Sequence, residues 1–291
     1  MKVAVVGCNG QLGTDVVLAF KKNGHEVAPL THDDIELSSL ESVEECLRRI
    51  NAGIVVNTAA MHHVENCENQ PEKAYAINAI GARNLALATR ESGAALAHVS
   101  TDYVFDGRKT EPYVETDAPL PLNVYGNSKL AGEHYVQSVN PKHFVLRVSA
   151  LYGKHPCRAK GGQNFVDLML RLGKDRGRVR VVNDEFVSPT STADVATQIV
   201  ALAGSDAFGL YHATAEGDCS WYEFAREIFA LAQFPVHVEV ASPSEFPAKV
   251  PRPKYSVLEN RELKKAGLSV FRRWQDGLAV YLDSADVVLS H

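Results

Sequence analysis

Cysteine is scarce, and the five present are scattered at Cys8, Cys46, Cys67, Cys157 and Cys219. The number is odd and no CxxC pair occurs, which argues against a disulfide framework and a zinc site and for a reducing compartment. No apolar run approaches the ~20 residues that a transmembrane helix needs. The opening run Met1–Gly7 is too short for a signal-peptide core and leads straight into a glycine turn. Basic clusters are absent too: Arg48-Arg49 and Arg272-Arg273 are isolated pairs expected to be solvated. With 30 basic against 35 acidic residues the net charge is −5, which speaks against nucleic-acid and membrane partners. Internal repeats and low-complexity segments are also lacking. A cytoplasmic globular protein is the expectation.

The chain has 291 residues, against roughly 150 per domain. The first half alternates short apolar runs with helical patterns. Lys2–Gly7, His25–Leu30, Ile54–Asn57 and Ala95–Ser100 read as strands. Gln11–Lys22, Leu40–Ile50 and a long stretch from Pro71 to Ser92 read as helices. Near-continuous apolar strands between helices predict an α/β fold, a doubly wound parallel sheet covered on both faces.

After about Tyr152 the pattern loosens. His155–Gly162 reads as a loop, and Ser242–Pro253, with four prolines, cannot be regular structure. Strands are expected at Val179–Val182 and Gly209–Ala213, and helices at Phe165–Leu172, Ala193–Ala203 and Trp221–Leu231. Residues 1–152 are therefore expected to form mainly a nucleotide-binding domain. Residues 153–291 should form a smaller C-terminal substrate-binding lobe, with segments free to return to the sheet.

Gly7-Cys8-Asn9-Gly10-Gln11-Leu12-Gly13 lies between the first strand and the first helix. A tight turn at Gly7, close backbone approach to a pyrophosphate at Gly10 and close helix–strand packing at Gly13 each demand glycine. The free amides of the helix start can then hold phosphates. The spacing is GxxGxxG, the form of the extended short-chain dehydrogenase/reductases, which this region resembles. A Rossmann-type domain binding NAD(H) or NADP(H) is thereby implied. The end of the second strand usually selects between the two cofactors, and Thr31-His32-Asp33-Asp34 makes no clean choice. His32 stands about where related chains carry an arginine. By the same resemblance Glu36-Leu37 lies near the adenine and Ala59-Ala60-Met61 lines the cofactor.

Tyr125 and Lys129 are four residues apart at the start of a helical pattern, so their side chains share a face. An ammonium beside a phenol favours phenolate and lowers the tyrosine pKa, giving a usable acid/base. Ser100-Thr101-Asp102-Tyr103 ends the fourth strand, where a hydroxyl can polarise a carbonyl.

Further segments narrow the family. They include Ser100–Gly107, Pro121–Gly126, Val182–Phe186, Ser188-Pro189-Thr190, Tyr211-His212, Ser220–Ala225, and Arg252-Pro253 before Tyr255-Ser256. Over essentially its whole length the chain resembles the dTDP-4-dehydrorhamnose reductase family. That resemblance implies reduction of a C4 keto group on a nucleotide-sugar substrate. It also implies that Thr101 and Tyr125 bind the carbonyl, Tyr125 donates the proton and Lys129 holds the nicotinamide ribose. Asp102, Tyr103 and Arg252 are the implied substrate contacts. One position departs from the family: Arg147-Val148-Ser149-Ala150-Leu151-Tyr152-Gly153 carries Ala150 where a substrate-touching tryptophan is usual.

Two alternatives stay open, another nucleotide-sugar reductase or epimerase of the same superfamily and a non-catalytic binding subunit. A nucleotide-sugar epimerase or 4,6-dehydratase shares the superfamily, but a dehydratase commonly has Asp-Glu after the threonine, and here Asp102-Tyr103 leaves one carboxylate. A non-catalytic NADP-binding regulatory subunit, resembling the methionine adenosyltransferase β subunit, would be of a different class. A homodimer is left open as the assembly. Met61-His62-His63 lacks metal-ligand spacing, so no metal is expected. Trp221, Tyr222 and Phe224 read as core at a helix start capped by Ser220.

Overall fold

A computed structural model describes residues 1–157, 161–242, 245 and 248–284. Arg158–Lys160 of the expected loop, and Pro243 and Pro247 of the proline-rich stretch, lie outside the described residues. In chain order the elements run β1 (Lys2–Val6), α1 (Gln11–Lys22), β2 (Glu26–Leu30), α2 (Leu40–Ile50), β3 (Ile54–Asn57), α3 (Val64–Asn69), α4 (Pro71–Tyr75) and α5 (Gly81–Ser92). They continue with β4 (Ala95–Thr101), α6 (Val124–Val139), β5 (His143–Val148), β6 (Leu151–Tyr152), α7 (Phe165–Arg176), β7 (Arg178–Val181), β8 (Phe186–Val187) and β9 (Thr190–Ser191). The remainder is α8 (Thr192–Ala203), β10 (Gly209–His212), β11 (Cys219–Ser220), α9 (Trp221–Leu231), β12 (His237–Val240), α10 (Arg261–Lys265) and α11 (Trp274–Ser284).

Six strands form one parallel sheet in the order β2-β1-β3-β4-β5-β10. The order reverses between β1 and β3, and the carboxyl edge at such a reversal is where ligands bind open α/β sheets. Both faces are covered. One carries α1 and α8, whose Val16, Phe20, Val195 and Ile199 pack with Val3 and Val5. The other carries α2, α5 and α6, with Val43, Leu47, Leu85 and Val136 against Ala4 and Val55. A further core joins α7, α9 and α11 through Val166, Phe224, Ile228 and Leu278.

Two elements expected in the second half belong to this sheet. β10 pairs with β5 in parallel register, Leu210 opposite Val145, and α8 packs on α1. The expected helix from Pro71 to Ser92 is continuous but contains a π-helical stretch at Ala76–Ile80. There Asn78 is buried and cross-links its surroundings: its Oδ1 accepts from Met61 N–H at 2.9 Å, and its Nδ2 donates to Met61 O at 2.9 Å and Ser128 Oγ at 3.0 Å. Such π stretches cluster at functional sites. Among the described residues no helix is long and apolar enough to cross a membrane.

Candidate active site

The glycine loop leaves the carboxyl end of β1. Gly7 has φ +78°, and its N–H bonds to Leu30 O at 2.9 Å, which locks the turn against β2. A Cβ on Gly13 would sit 2.1 Å from Gly7 O, so only glycine lets α1 start this close to the strand. The N-cap of α1 is Gly10, and no side chain caps the helix. Its first-turn amides therefore have no side-chain acceptor, and Gly10–Gly13 line an open cavity of about 470 Å³. Uncapped amides at a helix start match the donor set that a phosphate needs, so this loop fits a dinucleotide.

The same cavity is lined by Ala60, Thr101, Asp102, Tyr103, Tyr125, Lys129, Ala150 and Arg252. Thus the glycine loop, the Thr101–Tyr125–Lys129 set and the expected substrate contacts share one space. Helix α6 begins beneath it because Asn123 Oδ1 caps Gly126 N–H at 2.9 Å. Gly126 allows the close approach: a Cβ there would meet Tyr103 O at 2.2 Å.

At the centre Thr101 and Tyr125 face the same cavity, and the Thr101 hydroxyl donates to Asp102 Oδ1 at 2.9 Å. The Tyr125 ring meets Tyr103 edge to face at 5.7 Å. Loss of water around the phenol raises its pKa above the ordinary value, against the lowering pull of the Thr101 bond. That outcome corrects the expectation of a phenol made acidic by lysine. The Lys129 amine is committed elsewhere: Nζ donates to Val99 O at 2.6 Å and lies 3.3 Å from His98 Nε2. A phenol that stays protonated is suited to giving a proton to a carbonyl oxygen.

Asp102, expected to contact substrate, has its carboxylate filled by protein hydroxyls. Beyond Thr101, its Oδ2 accepts from Ser149 at 3.0 Å and Ser256 at 2.6 Å. Burial raises its pKa, and these three hydroxyls pull it back down. The carboxylate therefore ties the ends of β4 and β5 to the C-terminal segment and orients the Thr101 hydroxyl. Ala150 has φ +43°, an uncommon left-handed conformation for alanine, and occupies the cavity wall.

The outer expectations fare less evenly. Gly7, His32, Glu36, Leu37, Ala59 and Met61 do not line this cavity. His32 is exposed, with Nε2 3.1 Å from Asp33 Oδ1. The Glu36 carboxylate accepts from Ser38 N–H at 2.9 Å and Ser38 Oγ at 2.7 Å, and Leu37 is buried in the core between α2 and α5. The Gln11 amide is used within the protein, donating to Gly153 O at 3.2 Å and His155 O at 3.0 Å. Among the described residues no group of three or more His, Cys, Asp or Glu could hold a metal ion.

The cavity also includes residues not read as functional. Trp221 and Phe224 line it as well as packing, with Tyr222, in the core they were read into. Glu185 and Ser256 line it too. Burial raises the Glu185 pKa, while nearby Arg252 and a bond from the Trp221 side chain lower it. Both residues lay inside motifs that carried the resemblance, yet neither motif revealed which side chains turn inward.

A family model described as the RmlD substrate binding domain matches residues 1–287. The chain belongs to that family. It is 39% identical over 281 residues to the spore coat polysaccharide biosynthesis protein SpsK of Bacillus subtilis, covering 97% of this chain and 96% of that one. It is 37% identical to a dTDP-4-dehydrorhamnose reductase of Mycobacterium tuberculosis, covering 97% and 92% of the two chains. Among solved structures, a dTDP-4-dehydrorhamnose reductase from Bacillus anthracis in complex with NADP superposes with a TM-score of 0.93. That protein is 38% identical, with 98% of this chain and 99% of the other covered. The family's Rossmann-like α/β fold is the one described above.

Proposed function

We propose that this protein is an NAD(P)H-dependent oxidoreductase that reduces the C4 keto group of dTDP-4-dehydro-L-rhamnose, giving dTDP-L-rhamnose. The observation that carries the reading is that Thr101, Tyr125 and Lys129 line one cavity with an uncapped helix start. When bound, the nicotinamide cofactor supplies a hydride. The Gly10–Gly13 amides would hold its phosphates, and Lys129 would lie at its ribose. The Thr101 hydroxyl would turn from Asp102 Oδ1 to donate to the carbonyl oxygen, and Tyr125 would give that oxygen its proton. Tyr103 and Arg252 complete the substrate side. The reading includes a cytoplasmic enzyme, consistent with five cysteines none of which is in a disulfide among the described residues, and leaves a homodimer as its assembly.

The test is to follow oxidation of reduced cofactor by the purified protein with dTDP-4-dehydro-L-rhamnose, using NADPH and NADH in parallel. One reduced cofactor consumed per sugar is expected. An epimerase or dehydratase would recycle the cofactor without net consumption. A regulatory subunit would bind it and turn over nothing.

Two variants probe the outer parts of the site. An arginine adds a fixed cation and a fork of donors suited to a phosphate. His32→Arg should therefore raise the preference for NADPH over NADH, read as the ratio of kcat/KM values; an unchanged ratio places the selecting residue elsewhere. Ala150→Trp should lower KM for the rhamnose precursor with kcat little changed. An aromatic ring buries about 150–250 Å², and contacts shared by ground and transition states act on KM. Loss of activity in that variant would mean the pocket takes a differently shaped sugar.

A further inference from the structure

At the cavity wall Lys129 meets His98, and Asn57 holds that ring from its other side; neither lies in the YxxxK motif. His98 Nε2 is 3.3 Å from Lys129 Nζ, and on the opposite edge of the ring His98 Nδ1 is 3.0 Å from Asn57 Nδ2. Asn57 sits at the end of β3, and its Oδ1 accepts from Ala59 N–H at 3.1 Å. That bond fixes the amide, because turning it over would set two N–H donors against each other. Asn57, His98 and Lys129 are all buried to 2% exposure or less.

The bond directions then follow one from another. The Asn57 amide donates to Nδ1, so Nδ1 carries no proton and the neutral imidazole has its proton on Nε2. That N–H faces Lys129 Nζ. An ammonium has three donors and no acceptor, so only the neutral amine can receive it. Nζ can still donate to Val99 O in either form.

We propose that Asn57 and His98 are positioning residues that present an imidazole N–H to Lys129 and hold it near the balance between amine and ammonium. The inference rests on the reading of Lys129 as part of the reductase machinery. Other charged groups around it agree with a balance. Burial lowers Lys129 to about 8, with Glu133, one turn further along α6, pulling the other way. Glu133 is itself engaged by Arg147 from β5 and Ser100 from β4. Tyr125 is one turn back on α6, with Asp102 from the end of β4 and Cys67 from α3 acting on its phenol. Burial, with the Lys129 charge adding to it, keeps His98 well below the usual histidine range, so the ring stays neutral.

The test uses the protein without substrate. Long-range ¹H–¹⁵N spectra of histidine-labelled protein report the His98 tautomer, and Cε shifts of ¹³C-lysine report the Lys129 titration, with His98→Gln and Lys129→Met assigning the signals. The expected wild-type result is the Nε2–H tautomer with Lys129 titrating near pH 8. Asn57→Asp places an acceptor at Nδ1, moves the proton there and frees Nε2 to accept from the ammonium. The Lys129 midpoint should then rise by about one pH unit or more, a tenfold shift in its ionisation ratio. A wild-type Nδ1–H tautomer, or a Lys129 midpoint unmoved in folded Asn57→Asp, would overturn the proposal. If that variant does not fold, the wild-type tautomer alone decides it. Neither signal requires turnover, so a failure of the reductase reading shows separately, in the cofactor-oxidation assay.

Discussion

Tyr125→Phe is expected to lower kcat by ~10²–10⁴-fold, the usual contribution of a general acid. The substitution keeps the ring, and with it the edge-to-face contact with Tyr103, and removes only the hydroxyl. Cofactor affinity should barely change, because the helix-start amides of Gly10–Gly13 are untouched. An interaction made only in the transition state lowers kcat and kcat/KM together, so KM should stay close to wild type. Loss of water around the phenol keeps it protonated, so the wild-type profile should show no loss of the donor between pH 6 and 9, a range of about three units below the ordinary tyrosine value. Steady-state kinetics with a cofactor titration checks all of this. Near-normal turnover in the variant would remove Tyr125 from the role.

The second large effect is on stability. Glu133 on α6 and Arg147 on β5 form a fully buried pair: Arg147 Nη2 donates to Oε2 at 2.7 Å and Nε to Oε1 at 3.0 Å. Ser100 Oγ donates to the same Oε1 at 2.5 Å, and the guanidinium lies 5.0 Å from the Phe105 ring centroid. Removing one partner strands a buried charge, which costs ~3–5 kcal/mol. Glu133→Ala should therefore lower the urea midpoint strongly at an unchanged slope. The double variant Glu133→Leu with Arg147→Met should recover much of the loss, since an apolar pair of similar volume is often neutral in such positions. Recovery should be incomplete, because Ser100 loses its acceptor. If Glu133→Ala unfolds like wild type, the pair contributes nothing to the fold.

What the sequence discloses and what it withholds divide by distance along the chain. The Gly7–Gly13 loop and the Tyr125–Lys129 pair were legible because their geometry is set within one turn and one helix. The six-stranded sheet was legible where apolar runs were continuous, as at Lys2–Val6 and Ile54–Asn57. The partners of Asp102 were not, since Ser149 and Ser256 lie 47 and 154 residues away and reach it only after the sheet forms. Asn57 and His98 read simply as strand residues, because nothing local reveals that a buried imidazole needs an amide on one side and an amine on the other. Glu36 and Leu37 show the opposite case. Their position beyond β2 suggests a cofactor contact, and nothing local reveals that a serine two residues on bonds the carboxylate and that the leucine is buried in the core.

The return of β10 and α8 to the main sheet bears on how the chain can be divided. A fragment ending near residue 152 would expose β5 as a bare strand edge, since Leu210 and Tyr211 supply its ladder partners. It would also uncover Val16 and Phe20 on α1, which pack in one cluster with Val195 and Ile199 of α8. An unpaired apolar edge beside an uncovered helix face is a template for aggregation. The nucleotide-binding sheet is therefore completed only once the chain has passed through the cavity wall at Glu185 and come back. A newly made chain holds the whole glycine loop long before it holds the sheet that supports it.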